Sequence, residues 1–185
     1  MQSFLIVLVI FFILITLLYN FLVSKKNQVA NIFGSVDALL KKRFDLIPSL
    51  IASVQEAMQH EKGVLKEITA LRTNAMNSSL DVNKMAKIDS KMSTLLGTLM
   101  VAVEAYPDLK ANENTMHLQR SLVELEEQLS AARRAYNQAV TDYNNAIEMI
   151  PANILANFLR YEKKSVFEIP VSQRENVDVK ELFKK

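Results

Sequence analysis

Two hydrophobic patterns divide the chain. Residues 4 to 23, FLIVLVIFFILITLLYNFLV, are apolar on every side, with Thr16 and Asn20 the only strongly polar side chains. At about 1.5 Å per residue the run is about 30 Å long, the thickness of a bilayer's hydrocarbon core, so it predicts a membrane-spanning helix. Beyond it, apolar side chains recur as Val29, Ile32, Phe33, Val36, Leu39, Leu40, Phe44, Ile47, Leu50, Ile51, Val54 and Met58. Steps of three, four and one trace one face of a helix. Pro48 interrupts the backbone hydrogen bonding of this helix but not the phase of its apolar face, which predicts one kinked continuous helix rather than two helices with Pro48 near the start of the second.

Gly63 and the polar run RTNAMNSSLDVN, residues 72 to 83, place the first reversal of the chain. A second helix is expected from an N-cap at Ser79, with Met85, Ile88, Met92, Leu95, Leu96, Leu99 and Val103 on one face. It should end at EAYPDLKAN, because Pro107 forces Tyr106 out of helical geometry, and Asn112 with Glu113 and Thr115 suits the start of the next helix. That next segment is the most regular. Leu118, Leu122, Leu125, Leu129, Ala132, Tyr136, Ala139, Tyr143, Ala146 and Ile150 alternate steps of four and three, a heptad seam that turns from leucine to alternating alanine and tyrosine. Pro151 is placed to open a fourth helix, PANILANFLRYEKK, with Ile154, Leu155 and Phe158 inward. The pattern predicts an all-α chain: an N-terminal transmembrane helix followed by an antiparallel bundle of about four long helices. Its divisions are an anchor at 1–24, a bundle domain at 25–160 and a C-terminal tail at 161–185.

Charge changes this picture in one respect. Lys25 and Lys26 follow the apolar run directly, Lys41, Lys42 and Arg43 come later, and nothing basic precedes it. The positive-inside rule then puts the N-terminus outside and the bundle in the cytoplasm. A cleaved signal peptide would need a basic start and small residues before the cut, whereas residues 1 to 3 carry no Lys or Arg and Leu22, Val23 and Ser24 make a poor cleavage site. A retained anchor is expected. With 22 basic and 20 acidic side chains and a net charge of +2, the chain has no electrostatic footprint for nucleic acid. The absence of cysteine excludes disulfides, thiol catalysis and thiolate metal sites.

The ordered set KKRFDLIPSL, HEKGVLKEITALR, EAYPDLKANENTMHLQRSLVELEEQLSAARRAYNQAVTDYNNAIEMIP and VFEIP resembles the LemA family of bacterial membrane-anchored helical proteins, over nearly the whole chain. The resemblance implies a short external N-terminus, one membrane span and a helical bundle; some relatives are associated with magnetosome membranes. The chain departs from the family pattern at Ser49, where Asn is usual, and at NIFGSVD, where Phe33 stands alone in a segment that is usually aromatic-rich. The residues of the shared motifs are Arg43, Asp45, Pro48, Tyr106, Pro107, Tyr136, Asn137, Tyr143, Asn144 and Pro151, and the resemblance implies no catalytic group among them.

The chemistry available in the chain agrees. His60 and His117 do not make a metal site, since the HE at 60 and 61 lacks the second histidine of H-E-x-x-H. Three scattered glycines exclude a phosphate-binding loop, and Ser49 and Ser53 have no evident His and acid partners. No cofactor is expected. Tyr136-Asn137 and Tyr143-Asn144 repeat seven residues apart on one helical face, where their amides could bond a neighbouring helix and fix its register; a stripe that binds a ligand or partner is the alternative. Arg133, Arg134 and Asp142 beside them are expected to be interhelical or solvated charges. Arg43 and Asp45 flank the Pro48 turn, where either could satisfy backbone groups that proline leaves free.

Two functions are compatible with these residues. One is a non-enzymatic scaffold at the cytoplasmic membrane, whose partners are the lipid bilayer and further copies of itself. The other is an adaptor or regulatory subunit for a membrane protein, such as a protease of an envelope-stress system, a kind of neighbour the resemblance implies. A homo-oligomer is expected because Val29, Ile32 and Phe33 lie close to the membrane, where the bundle would leave them uncovered.

Overall fold

The computed structural model describes residues 1–76 and 82–167. Among them every regular element is helical: α1 (Gln2–Val54), a 3-10 turn (Gln59–Glu61), α2 (Lys62–Met76), α3 (Val82–Val103), α4 (Pro107–Lys110), α5 (Glu113–Glu148) and α6 (Ala152–Phe158). The chain is all-α, and α1 crosses Pro48 without a break. Ser79, the expected N-cap, lies outside the described residues.

The first reversal falls at residues 55 to 61, earlier than expected. It is built on Met58, which is fully buried, accepts from Glu61 N–H and donates its own N–H to the Val54 carbonyl. Gly63 sits inside α2 with no neighbour near its missing Cβ, so it is an ordinary helical residue. A separate helix, α2, therefore precedes the polar run and packs against α3 and α1.

The long antiparallel pair α1 and α5 organises everything else. As α1 advances through Lys25, Phe33 and Arg43, its partners on α5 recede through Asp142, Tyr136 and Glu126. The core between them uses the predicted stripes: Val29, Val36, Leu40, Ile47 and Leu50 from α1 meet Leu122, Leu129, Tyr136, Ala139, Tyr143 and Ala146 from α5. Val29 is thus covered by the bundle, and Ile32 and Phe33 pack partly against it, so the expectation that these three stand uncovered is corrected. The heptad seam also stops short of Ile150. The helix ends at Glu148, Ile147 takes the last core position, and Ile150 turns outward.

Pro48 lies on the exposed side of α1. Its missing N–H leaves the Phe44 carbonyl without its usual intrahelical donor. Neither Arg43 nor Asp45 fills that gap, contrary to expectation. Arg43 points into the core and Asp45 into solvent, whereas Arg72 reaches from α2 and donates Nε–H to the Phe44 oxygen at 2.8 Å. A defect in one helix thereby becomes a tie to another.

The tie predicts a specific coupling. Arg72→Ala should cost about 1 kcal/mol in the wild-type chain by stranding the carbonyl. In a Pro48→Ala background, whose new N–H bonds Phe44 within the helix, the same change should cost much less. Thermal unfolding of the four proteins measures the difference, and equal costs in both backgrounds would contradict the assignment.

Candidate functional site

Arg43 and Asp89 occupy apolar stripes, in phase with Leu40, Ile47 and Leu50 on α1 and with Met85, Met92 and Leu96 on α3. Each is only 3% exposed. Burial of a single charge would be prohibitive, so the two must meet, and they do. Arg43 Nη1 donates to Asp89 Oδ1 at 3.1 Å and to Ser93 Oγ at 3.0 Å, and lies 2.8 Å from Glu126 Oε2 on α5. Arg133 completes the group by pairing with Asp89 Oδ2 and, at 3.6 Å, with Glu126 Oε1. Two guanidinium groups and two carboxylates thus balance one another where α1, α3 and α5 converge.

Desolvation leaves its mark on this cluster. Burial pushes the Asp89 carboxyl above the usual carboxylate range, against the pull of Arg133 and Arg43. Burial likewise pushes the Arg43 guanidinium down, against Glu126 and Asp89. Arg43 Nε and Arg133 Nε are buried without hydrogen-bond partners among the described residues. Such an arrangement fixes which helices meet more than it adds net stability.

The second constellation is the Tyr-Asn repeat of α5. Its partner is not a neighbouring helix, as expected, but an extended segment of the same chain. The expected helix from Pro151 to Lys164 ends at Phe158, with Pro151 at its N-cap. Arg160 then adopts a left-handed conformation at φ 53°, Tyr161 N–H closes onto the Ala156 carbonyl at 2.9 Å, and the chain runs back along α5. Seven helical residues rise about 10.5 Å and three extended residues about 10 Å, so the two repeats meet every third residue of the returning strand.

The contacts follow that arithmetic. Asn144 donates to the Lys164 carbonyl at 3.0 Å and accepts its N–H at 2.9 Å; Asn137 does the same for Phe167 at 3.0 and 2.8 Å. Each amide acts as a strand partner would. The tyrosines serve the alternate carbonyls, Tyr143 donating to Glu162 at 3.1 Å and Tyr136 to Ser165 at 3.2 Å. The Phe167 ring packs edge-on against Tyr136 with centroids 5.1 Å apart, and Phe33 of α1 closes on the same tyrosine. Burial, then Tyr161 and Glu162, pushes the Tyr143 phenol up, so it stays a donor. Beside this clamp, Gln138 and Lys25 hold Asp142 below the usual carboxylate range, and Lys25 ties α1 to α5 at 3.1 Å. Arg134 bonds Ser130 on its own helix.

The remaining motif residues are local. Tyr106 is extended ahead of α4, which Pro107 opens, and Asn112 caps α5 by accepting from Thr115 N–H at 3.1 Å. Neither they nor Pro48 and Asp45 join the two constellations. Sequence reasoning missed Asp89, Ser93 and Glu126. The available signal was a carboxylate placed in phase with the buried methionines of α3. Among the described residues no three His, Asp or Glu side chains could together hold a metal ion.

Two outcomes are expected. Arg43→Met should lower stability by about 3–5 kcal/mol, since it strands Asp89, whereas Arg43→Met with Asp89→Leu should recover a large part of the loss in denaturant unfolding. Asn137→Ala with Asn144→Ala should abolish protection of the Lys164 and Phe167 amides in hydrogen exchange while the amides at the centre of α5 keep theirs.

Comparison with known proteins follows the same geometry. The LemA family pattern matches residues 32–180, from the middle of α1 past the clamp. Protein LemA of Metamycoplasma hominis is 26% identical over 163 residues, 88% of this chain and 74% of that protein. Magnetosome protein MamQ 2 of Paramagnetospirillum magneticum is 34% identical over 80 residues, and magnetosome protein MamQ of Magnetospirillum gryphiswaldense 30% over 79. Each of these two matches covers 43% of this chain and 29% of the relative. On the extent of the family match, the chain belongs to the LemA family.

Proposed function

We propose that this chain is a non-enzymatic helical scaffold, held in the cytoplasmic membrane by residues 4–23, with its bundle in the cytoplasm, and that it associates with further copies of itself. The observation that carries this reading is α1. One helix is bare and apolar over its first turns, with Phe4 through Ile15 all exposed, and becomes the central rod of a charge-locked core further along. The anchor and the bundle therefore share an uninterrupted backbone. The charges buried beyond the anchor, Arg43 and Asp89, are paired with each other and with Glu126 and Arg133, which is chemistry suited to holding shape. Lys25 and Lys26 at the end of the apolar run support the cytoplasmic orientation.

Self-association draws its support from confinement: anchored copies diffuse in two dimensions at raised effective concentration. Ile32 and Phe33 are partly covered by the bundle, so this reading assigns the contact to the apolar helix within the membrane.

Orientation and assembly are tested together. Protease added to spheroplasts should leave the bundle intact, and cutting from outside would reverse the topology. Crosslinking in native membranes should give a ladder of self-multiples; a single foreign partner at fixed ratio would replace the scaffold by an adaptor to a membrane protein.

A further inference from the structure

The short helix α6 is inside out by the standards of the bundle. Its small residues Ala152 and Ala156 are buried, while Ile154 is 71% and Phe158 83% exposed. Sequence periodicity had placed both large side chains inward. Ile150, in the turn ahead of α6, is likewise 82% exposed. Small residues let α6 approach α1 and α5 closely, and the cost is an apolar face turned away from the core.

The position of this face identifies what covers it. The antiparallel register sets Asp142 beside Lys25 and Tyr136 beside Phe33. Continued at the same rate, it brings the end of α5 level with about residue 20 of α1 and the turn into α6 level with about residue 18. Both lie within the apolar run that ends at Val23. Leu22 is accordingly buried and Leu18 partly so, although both belong to that run. If the run crosses the hydrocarbon with Val23 at its edge, the α5–α6 turn lies about 8 Å below the edge, the depth of an interfacial helix.

The rim fits that depth. Lys25, Lys26, Arg160, Lys163 and Lys164 stand at this end of the molecule with Asp142, Glu148 and Glu162. Lys26 lies over the Tyr161 ring at 5.0 Å and Lys163 pairs with Glu148. Aromatic rings and long basic side chains around an apolar tip are what the headgroup region accepts.

We infer that the exposed face of α6, Ile154 and Phe158, is a second membrane contact, seated in the acyl–headgroup boundary of the bilayer beside the anchor. The inference rests on the reading of residues 4–23 as a membrane span. It makes the bundle sit partly sunk in the leaflet, held at two points and unable to swivel freely about α1.

The chain has no cysteine, so single labels are clean. Ile154→Cys and Phe158→Cys carry an environment-sensitive nitrobenzoxadiazole in full-length protein reconstituted in phosphatidylethanolamine–phosphatidylglycerol vesicles. Ile10→Cys marks the span, and Val123→Cys, exposed on α5 about 37 Å from its membrane end, marks water. Labels at Ile154 and Phe158 are expected to emit to the blue of the Val123 label and to be quenched by nitroxides placed near the headgroup end of lipid chains, with Ile10 quenched by deep nitroxides. If Ile10 is quenched by deep nitroxides but Ile154 and Phe158 are as open to iodide as Val123, the second contact is overturned and the span stands. If Ile10 too is open to iodide, the span itself fails and the inference with it. Energy transfer between copies labelled at Phe158, without lipid quenching, would assign the face to a second copy and also overturn the inference.

Discussion

Burying the guanidinium of Arg43 obliges three helices to meet at one point. A charge removed from water at that depth is tolerable only beside carboxylates, and the two it uses arrive on different elements, Asp89 on α3 and Glu126 on α5. Arg133 is then required in turn, because two carboxylates facing one cation would leave an excess negative charge. Apolar stripes can slide past one another by a helical turn at modest cost. A balanced set of four charges cannot, so the cluster fixes the register that the leucines and alanines of the α1–α5 interface merely permit.

That register propagates toward both ends of the rod. In one direction it carries Phe44 to the place where Arg72 can serve the carbonyl released by Pro48. In the other it sets Phe33 against Tyr136 and Lys25 against Asp142, which puts the Tyr-Asn repeat where the returning strand can lie in it. The clamp illustrates how a helix can satisfy extended backbone. Its amides are spaced by the heptad, and three residues of strand happen to span nearly the same length.

Much of this was legible in the sequence because it depends on periodicity. The apolar run, the faces of α1 and α3, the leucine seam and the Asn112 cap all arise from local spacing that a single helix imposes. The partners of polar residues were not legible in the same way. Nothing local says that Asp89 will face Arg43 rather than water, or that Arg72 will reach Phe44, since both depend on how helices far apart in sequence are set side by side. Asn137 and Asn144 announced their shared face, but not that an extended strand would occupy it. Helix α6 misled for a further reason: a pattern of large apolar residues points to whatever medium is apolar, and under the proposed anchoring that medium is the bilayer rather than the protein core.

In the anchored arrangement proposed above, a single helix shared between bilayer and bundle behaves as a lever. From Val23 to Val54, α1 extends about 46 Å beyond the apolar run, stiffened along its length by α5. Transmembrane helices tilt by about 20° on average, by an amount that depends on the thickness of the bilayer they occupy. For a rod of this length such a tilt displaces the far end sideways by about 16 Å. The thickness of the membrane around such an anchor would then set how far sideways the remote tip of the bundle, where Met58 turns the chain, is carried.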